Sequence, residues 1–136
     1  MIVLLVDEDD DFRSGLAENL RDDGHRVDEF AAPAELHPLE ERGYAELLVT
    51  EFLLSGEGGL SFIDRFHVAH PAIPVVIVTS YTVGSLAAAI SGRANTYLRP
   101  KPIEYLDFRD FACRLASSSA HLNRRDRQSP ERGPKA

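Results

Sequence analysis

The sequence predicts an α/β fold built on a parallel sheet. Three observations predict it: short apolar runs rich in Val, Ile and Leu recur along the chain, amphipathic helical patterns separate them, and the alternation occurs five times within residues 1–116. Wholly apolar strands are typical of parallel sheets, because both faces of such sheets are covered. With 136 residues, 43% of them apolar, the chain has the size of one domain with its own core.

The first strand and helix are the clearest unit. Ile2–Val6 is a wholly apolar run, which predicts a strand buried on both faces. The helix that follows is expected to bury one face, formed by Phe12, Leu16, Ala17 and Leu20. Asp10 or Asp11 can cap its first turn, and Gly24 can end it.

The second unit is weaker in its pattern. Val27–Phe30 is partly acidic, so it predicts a strand at the edge of the sheet. Pro33–Arg42 begins with a proline near its first turn and stops at Gly43, so it predicts an amphipathic helix.

The remaining units repeat the alternation. Three more strands are predicted, at Leu47–Thr50, Val75–Thr79 and Tyr97–Leu98. Three more helices are predicted, at Gly59–Ala69, Thr82–Ser91 and Glu104–Ser117. The helix at 82–91 contains no charged residue, which indicates an exposed face suited to association. Residues 117–136 lack apolar periodicity and are expected to form a flexible basic tail or linker.

Charge and cysteine content exclude several classes of function. The net charge is −7; residues 1–120 carry 10 basic against 20 acidic side chains, whereas residues 121–136 carry 5 against 2. An acidic body argues against general binding to nucleic acid or to anionic membranes, since both require excess cations. The single cysteine, Cys113, excludes an intrachain disulfide and a cysteine-based zinc cluster. The apolar runs are much shorter than the roughly 20 residues that a membrane-spanning helix needs, and the sequence shows no secretion leader. We therefore expect a cytoplasmic protein.

Polar side chains follow four of the predicted strands. Asp7 and Glu8 follow the first strand, Glu51 the third, Thr79 ends the fourth, and Lys101 follows the fifth. Ligands of open parallel sheets bind beyond the carboxyl ends of the strands, so these residues are candidates for one site. Carboxylates about 4 Å apart repel by about 4 kcal/mol at an effective dielectric constant near 20, so the cluster needs a cation or protons. Oxygen ligands favour Mg²⁺ or Ca²⁺ over zinc.

Four sequence runs carry a resemblance to a known family. They are Val3–Asp9, Leu47–Gly56, Pro74–Ser80 and Tyr97–Pro102. In this order and at this spacing, over residues 1–116, they resemble the receiver domain of bacterial two-component response regulators. The resemblance implies a CheY-like, flavodoxin-like doubly wound sheet of five parallel strands in the order 2-1-3-4-5, with five helices. It also implies a signalling function without turnover of a substrate.

The resemblance assigns roles to the residues at the strand ends. It implies a Mg²⁺ site with four ligands, namely Asp7, Glu8, Glu51 and the backbone carbonyl of Leu53. It places Glu51 at the position of the phosphoacceptor and places Thr79 and Lys101 against the phosphoryl oxygens. Tyr97 is the candidate for the aromatic residue that switches on phosphorylation in this family, although it stands four residues before Lys101 rather than the usual three.

The main departure from the family is the acceptor itself, which is glutamate instead of aspartate. One additional methylene moves the carboxylate by about 1.5 Å, and a displacement near 1 Å can cost about 10² in rate. Our hypothesis is that Glu51 pairs with Lys101 and Thr79 and holds one signalling state without phosphate, as in a pseudo-receiver. The same change is expected to weaken Mg²⁺ binding. Ser55 replaces a proline common in the family, a change to which the sequence assigns no role.

The resemblance also implies partners. We expect a histidine kinase or another signalling protein, and a homodimer formed through the faces of Thr82–Ser91 and Glu104–Ser117. No membrane contact is expected, and nucleic acid would be contacted only through an output domain outside this chain.

Two alternatives to a phosphorylation-independent receiver remain open. In the first, the receiver is phosphorylated on Glu51 or on a nearby aspartate. In the second, the chain is a small haloacid-dehalogenase-like phosphotransferase with Asp7 as its nucleophile, since Asp7 and Asp9 follow the first strand. The second is disfavoured because a later acidic pair is missing and the chain has no room for a cap domain.

Overall fold

The computed structural model describes residues 1–39, 45–81 and 83–118, and within them it contains one five-stranded sheet. The strands are β1 (Ile2–Val6), β2 (Arg26–Phe30), β3 (Leu47–Thr50), β4 (Val75–Thr79) and β5 (Thr96–Pro100). All neighbouring pairs are parallel, and the order is β2-β1-β3-β4-β5. This confirms the flavodoxin-like fold and places the partly acidic strand β2 at an edge.

Four α-helices and one 3-10 helix accompany the sheet in the described residues. They are α1 (Asp10–Asp22), the 3-10 helix (Pro33–Leu39), α2 (Gly59–Ala69), α3 (Val83–Ile90) and α4 (105–118). The prediction of a fifth α-helix at Pro33–Arg42 is therefore wrong over residues 33–39, and residues 40–42 lie outside the described residues. Pro38 accounts for the difference, because its ring lacks a backbone N–H and clashes with the carbonyl four residues earlier in an α-helix.

The boundaries of two other elements differ slightly from the prediction. Asp9, rather than Asp10 or Asp11, caps α1, because its backbone is extended and its carboxylate accepts the N–H of Phe12. Gly24 follows the helix with φ +90°, a conformation that glycine adopts without strain, as expected. Since α4 continues to residue 118, the predicted start of the tail at 117 falls inside this helix. Residues 119–136 and Thr82 lie outside the described residues.

The core forms two layers, one on each face of the sheet. Successive residues of a strand point to opposite faces, so the buried strands supply both layers. On one face, the strands pack against α1 and α4 through Leu5, Val49, Val78, Leu20 and Phe108. On the other, they pack against α2 and α3 through Val6, Leu48, Ile77, Phe62 and Leu86. Tyr105 also joins α4 to the end of α1, because its hydroxyl donates to Asp23 Oδ2 at 2.7 Å and lies 3.0 Å from the Asn19 carbonyl oxygen.

The register of the strands brings their carboxyl ends to one edge. Val6 pairs with Thr50, and Thr79 pairs with Pro100. Beyond these pairs, the Glu51 N–H donates to the Val6 carbonyl at 3.0 Å, and the Lys101 N–H donates to the Thr79 carbonyl at 2.8 Å. The residues that follow β1, β3 and β5 therefore emerge side by side. In the part of the chain that the structure describes, no helix is long and apolar enough to cross a membrane.

Candidate functional site

A lysine bridges two buried carboxylates at the carboxyl edge of the sheet. Lys101 Nζ lies 2.9 Å from Asp7 Oδ2 and 3.4 Å from Glu51 Oε1. The exposed fractions of the three side chains are 16% for Lys101, 4% for Asp7 and 8% for Glu51. The structure therefore brings together three predicted site residues from β1, β3 and β5, and the ammonium offsets the repulsion between the two acids.

The second oxygens of Asp7 and Glu51, which do not contact Lys101, also accept hydrogen bonds. Glu51 Oε2 accepts the backbone N–H groups of Phe52 and Leu53, and Asp7 Oδ1 accepts the N–H of Asp9 at 2.9 Å. These bonds come from the loops that immediately follow β3 and β1. Both carboxylates are thus held by their own loops as well as by Lys101, as buried charges require.

Lys101 is held in place by its surroundings. The Phe12 ring centroid lies 4.2 Å from Nζ, a distance at which the ring attracts a cation. Burial by itself lowers the pKa of Lys101, but the hydrogen bonds and negative charges of Asp7 and Glu51 outweigh burial, so the pKa is raised. Lys101 therefore remains an ammonium. The sequence predicted Phe12 only as a core residue, and helical periodicity contains no signal for its contact with Lys101.

Arg13 is a further residue that the sequence prediction missed. Its guanidinium donates to the Asp7 carbonyl, to Asp10 Oδ1 at 2.7 Å and to Glu29 Oε1 at 3.3 Å. Arg13 therefore connects the loop that carries Asp7 to the end of β2. Its spacing of three residues from Asp10 on a helix is the signal that could have indicated the ion pair with Asp10.

Thr79 is buried at the end of β4 but does not join the ion pair. Its Oγ1 accepts the N–H of Tyr81 at 3.1 Å, and within the described ranges no hydrogen bond connects it to Glu51. The part of the hypothesis that pairs Glu51 with Thr79 is therefore wrong for this structure: Glu51 accepts from Lys101, Phe52 and Leu53 instead. Tyr81 instead packs on Phe52, with ring centroids 5.3 Å apart.

Tyr97 lies away from these residues. Its ring meets Phe111 of α4 edge-on, with centroids 5.7 Å apart. Tyr97 packs against the core layer on the α1 and α4 side. Thr79 lies two residues after Ile77 in β4, so it points to the same face as Ile77, which is the α2 and α3 side. The structure thus does not place the candidate switch aromatic beside Thr79, and its switching role stays a prediction.

The three carboxylates among the predicted Mg²⁺ ligands are divided between two sets of contacts, with Asp7 and Glu51 on Lys101 and Glu8 on Ser55. Glu8 turns to Ser55, whose backbone N–H and hydroxyl both donate to its carboxylate, the hydroxyl at 3.0 Å. Leu53 contributes its N–H to Glu51. Over residues 1–39, 45–81 and 83–118, no group of three or more His, Cys, Asp or Glu side chains is arranged to hold a metal. In this arrangement the residues do not fit Mg²⁺, because Lys101 lies between the two carboxylates that remain.

Comparison with solved structures finds the same fold. The chain is similar to the receiver domain of the hybrid histidine kinase CckA, with 22% identity and a TM-score of 0.72, covering 85% of this chain and 99% of that one. It is similar to a CheY-like receiver domain protein from Methanospirillum hungatei, with 19% identity, a TM-score of 0.78 and coverages of 89% and 97%. NtrX from Brucella abortus matches with 23% identity and a TM-score of 0.81 over 93% of this chain but only 29% of its own length.

Comparison of the sequence with known families and proteins identifies the family. No curated protein matches the chain. The family model described as the response regulator receiver domain matches residues 3–110, which is most of the chain. The ordered motifs, the sheet order and the acidic pocket, formed by Asp7, Glu51 and Lys101, agree with this match. The chain therefore belongs to the response regulator receiver domain family.

Proposed function

We propose that this chain is a receiver domain of two-component signalling whose state is set by its own ion pair and not by phosphorylation. The observation that carries the proposal is the bridge from Lys101 Nζ to Asp7 and Glu51, with the second oxygen of Glu51 bound to the backbone of its own loop. In this arrangement the Glu51 carboxylate is itself the anion that Lys101 binds.

The geometry of Glu51 opposes attack on a phosphodonor. An attacking oxygen must lie in line with the bond that breaks, and the oxygens of Glu51 are held by Lys101 and by the N–H groups of Phe52 and Leu53. The same holds for Asp7, whose oxygens are bound by Lys101 and Asp9. No observation favours the phosphotransferase alternative, in which Asp7 would be the nucleophile.

The experiment that tests the proposal is intact mass measurement after incubation with acetyl phosphate and Mg²⁺. With MgCl₂ in large excess, so that a low Mg²⁺ affinity does not limit the reaction, we expect the wild-type chain to gain no phosphoryl group, whereas Glu51→Asp gains one, because the shorter side chain restores the position of the acceptor. A difference of about 10² in rate is the expected scale. Gain in the wild-type chain would overturn the proposal and support an acceptor at Glu51 or a nearby aspartate, to be located by fragmentation.

Glu51→Gln is the control variant for this measurement. Glu51→Gln lacks the carboxylate, so it should take no phosphate, and it should change stability and partner binding because Lys101 loses one of its two partners. Unchanged stability and binding in Glu51→Gln would contradict a role of the ion pair in signalling. If neither the wild-type chain nor Glu51→Asp gains phosphate, the glutamate at position 51 is not what prevents phosphorylation.

Receiver domains bind Mg²⁺ in their acidic pocket and interact with histidine kinases and other signalling proteins. We propose that this chain acts through such protein contacts in the cytoplasm, with no substrate turned over. The excess of acidic residues in 1–120 supports a protein partner over nucleic acid or an anionic membrane. Contact with nucleic acid would then belong to an output domain outside this chain.

We further propose that two copies pair through α3 and α4. The exposed residues of α3 between its ends are small and uncharged, namely Gly84, Ser85, Ala87, Ala88 and Ala89. Two copies can therefore approach along this helix without repulsion between like charges. At the edge strand β5, the Arg99 guanidinium lies 3.7 Å from the centroid of the Phe111 ring of α4, so β5 and α4 together present an aromatic side chain and a cation at this edge.

Sedimentation velocity over a range of concentrations tests the dimer. We expect a concentration-dependent dimer in the wild-type chain and its loss in Ala88→Glu, because a symmetric interface would bring two added carboxylates together. The matched control is Ser14→Glu on the exposed side of α1, which should sediment like the wild type. A monomer at high concentration, or equal behaviour of both variants, would contradict this interface.

A further inference from the structure

A direct contact joins the two loops that follow β1 and β3. Glu8 lies in the loop between β1 and α1, and Ser55 lies 47 residues later in the loop between β3 and α2. One oxygen of Glu8 accepts the Ser55 backbone N–H, and the other accepts the Ser55 hydroxyl at 3.0 Å. Both oxygens of the Glu8 carboxylate therefore accept from a single residue, which fixes the direction of the Glu8 side chain.

We propose that Ser55 is a positioning residue that withdraws Glu8 from the acidic pocket, so that the pocket is held together by Lys101 and has little affinity for Mg²⁺. The proposal concerns the cation and not the acceptor. It therefore goes beyond the proposed function and does not depend on whether Glu51 can be phosphorylated.

The charges of the pocket support this proposal. With Glu8 turned away, Asp7 and Glu51 share one ammonium, which leaves a single net negative charge. A divalent cation would have to approach this ammonium and compete with it for the same oxygens, and repulsion between like charges opposes that. With Glu8 in the pocket, three carboxylates would face one ammonium, and Mg²⁺ would find an additional anionic oxygen ligand.

The chemistry of residue 55 determines whether the contact can form. Serine donates twice, once from its backbone N–H and once from its hydroxyl. Alanine retains only the backbone donor, threonine retains both donors, and proline retains neither. The contact with Glu8 should therefore weaken from threonine to alanine to proline. Mg²⁺ affinity should rise in the same order.

Calorimetric titration with MgCl₂, without a phosphodonor, tests the proposal. We expect little heat in the wild-type chain and in Ser55→Thr, and Mg²⁺ affinity higher by about 10-fold or more in Ser55→Pro, the scale seen when residues around metal ligands are changed. Ser55→Ala should lie between them. Because Mg²⁺ stabilises only a fold that binds it, thermal unfolding with and without MgCl₂ should show the same order.

The double variant Ser55→Pro/Glu8→Gln separates positioning from general damage to the loop. If Ser55 acts through Glu8, this variant loses the gain in Mg²⁺ affinity. The proposal would be overturned if the wild-type chain bound Mg²⁺ as tightly as Ser55→Pro and Ser55→Ala. It would also be overturned if Ser55→Pro/Glu8→Gln, which lacks the Glu8 carboxylate, kept the gain in Mg²⁺ affinity. Should Ser55→Pro fail to fold, Ser55→Ala and Glu8→Gln/Ser55→Ala give the same comparison. Mg²⁺ affinity is measured without a phosphodonor, and phosphorylation is measured with MgCl₂ in large excess, so either proposal can fail alone.

Discussion

Replacing Lys101 with methionine is expected to lower the free energy of unfolding by about 3 kcal/mol at neutral pH, the scale for breaking a buried ion pair from one side. The side chains of Asp7 and Glu51 are almost fully buried, and Lys101 is the cation bonded to both. Without it, two like charges face each other in a site with little water, whereas both are well solvated in the unfolded chain.

Equilibrium unfolding in urea measures this loss, with two matched variants. Lys101→Arg keeps the charge and should lose less than Lys101→Met. The triple variant Asp7→Asn/Glu51→Gln/Lys101→Met removes all three charges and should recover most of the stability, because a neutral pocket has no repulsion to relieve. A Lys101→Met chain as stable as the wild type, or a triple variant no more stable than the single one, would show that the bridge contributes nothing.

The stability difference between the wild type and Lys101→Met also has an expected pH dependence. The pKa of Lys101 is raised in the folded chain: burial lowers it, but the hydrogen bonds and charges of Asp7 and Glu51 outweigh burial. The stabilisation is therefore fully present below the unfolded pKa of about 10.4 and is lost as the pH rises through the higher folded value. The difference should stay constant from neutral pH to about pH 10 and narrow above it. A difference that narrows well below pH 10 would contradict this assignment.

Replacing Gly59 with alanine is expected to lower the free energy of unfolding by about 2–3 kcal/mol, within the range for overpacked sites. A Cβ at Gly59 would lie 2.4 Å from the Phe52 carbonyl oxygen and 3.0 Å from the Phe52 Cα and Cδ2. Two of these three atoms are backbone, so a rotamer change cannot relieve the clash. The loop after Glu51 or the start of α2 must move instead.

Gly15→Ala is the matched control for this substitution. Gly15 lies on the exposed side of α1, and its added Cβ would meet no atom within 4 Å. In a helix interior the same chemical change should stabilise the chain by about 0.5–1 kcal/mol. Urea unfolding should therefore move in opposite directions for the two variants. Equal effects would show that the close approach of Gly59 to Phe52 is not maintained in solution.

Much of the fold was predictable because its signals are local. The apolar runs of β1, β3 and β4 predict buried strands without any knowledge of their neighbours, and the partly acidic β2 predicts an edge. Alternation of strands and helices restricts the connections to parallel crossovers, which bring the strand ends to one edge. The meeting of Asp7, Glu51 and Lys101 follows from this topology.

The sequence by itself therefore determined the parallel sheet and the set of residues at its carboxyl edge, because hydrophobic periodicity and strand ends are properties of short segments. Only the tertiary structure decided the pairing of those residues. Glu8 turns to Ser55, Thr79 accepts from Tyr81, and Tyr97 packs on Phe111. Each pairing depends on which donor lies within about 3 Å of a given oxygen, or on which face of the sheet a side chain occupies. These distances and faces are set only when the sheet has formed, because the sheet brings together loops that are far apart in the chain.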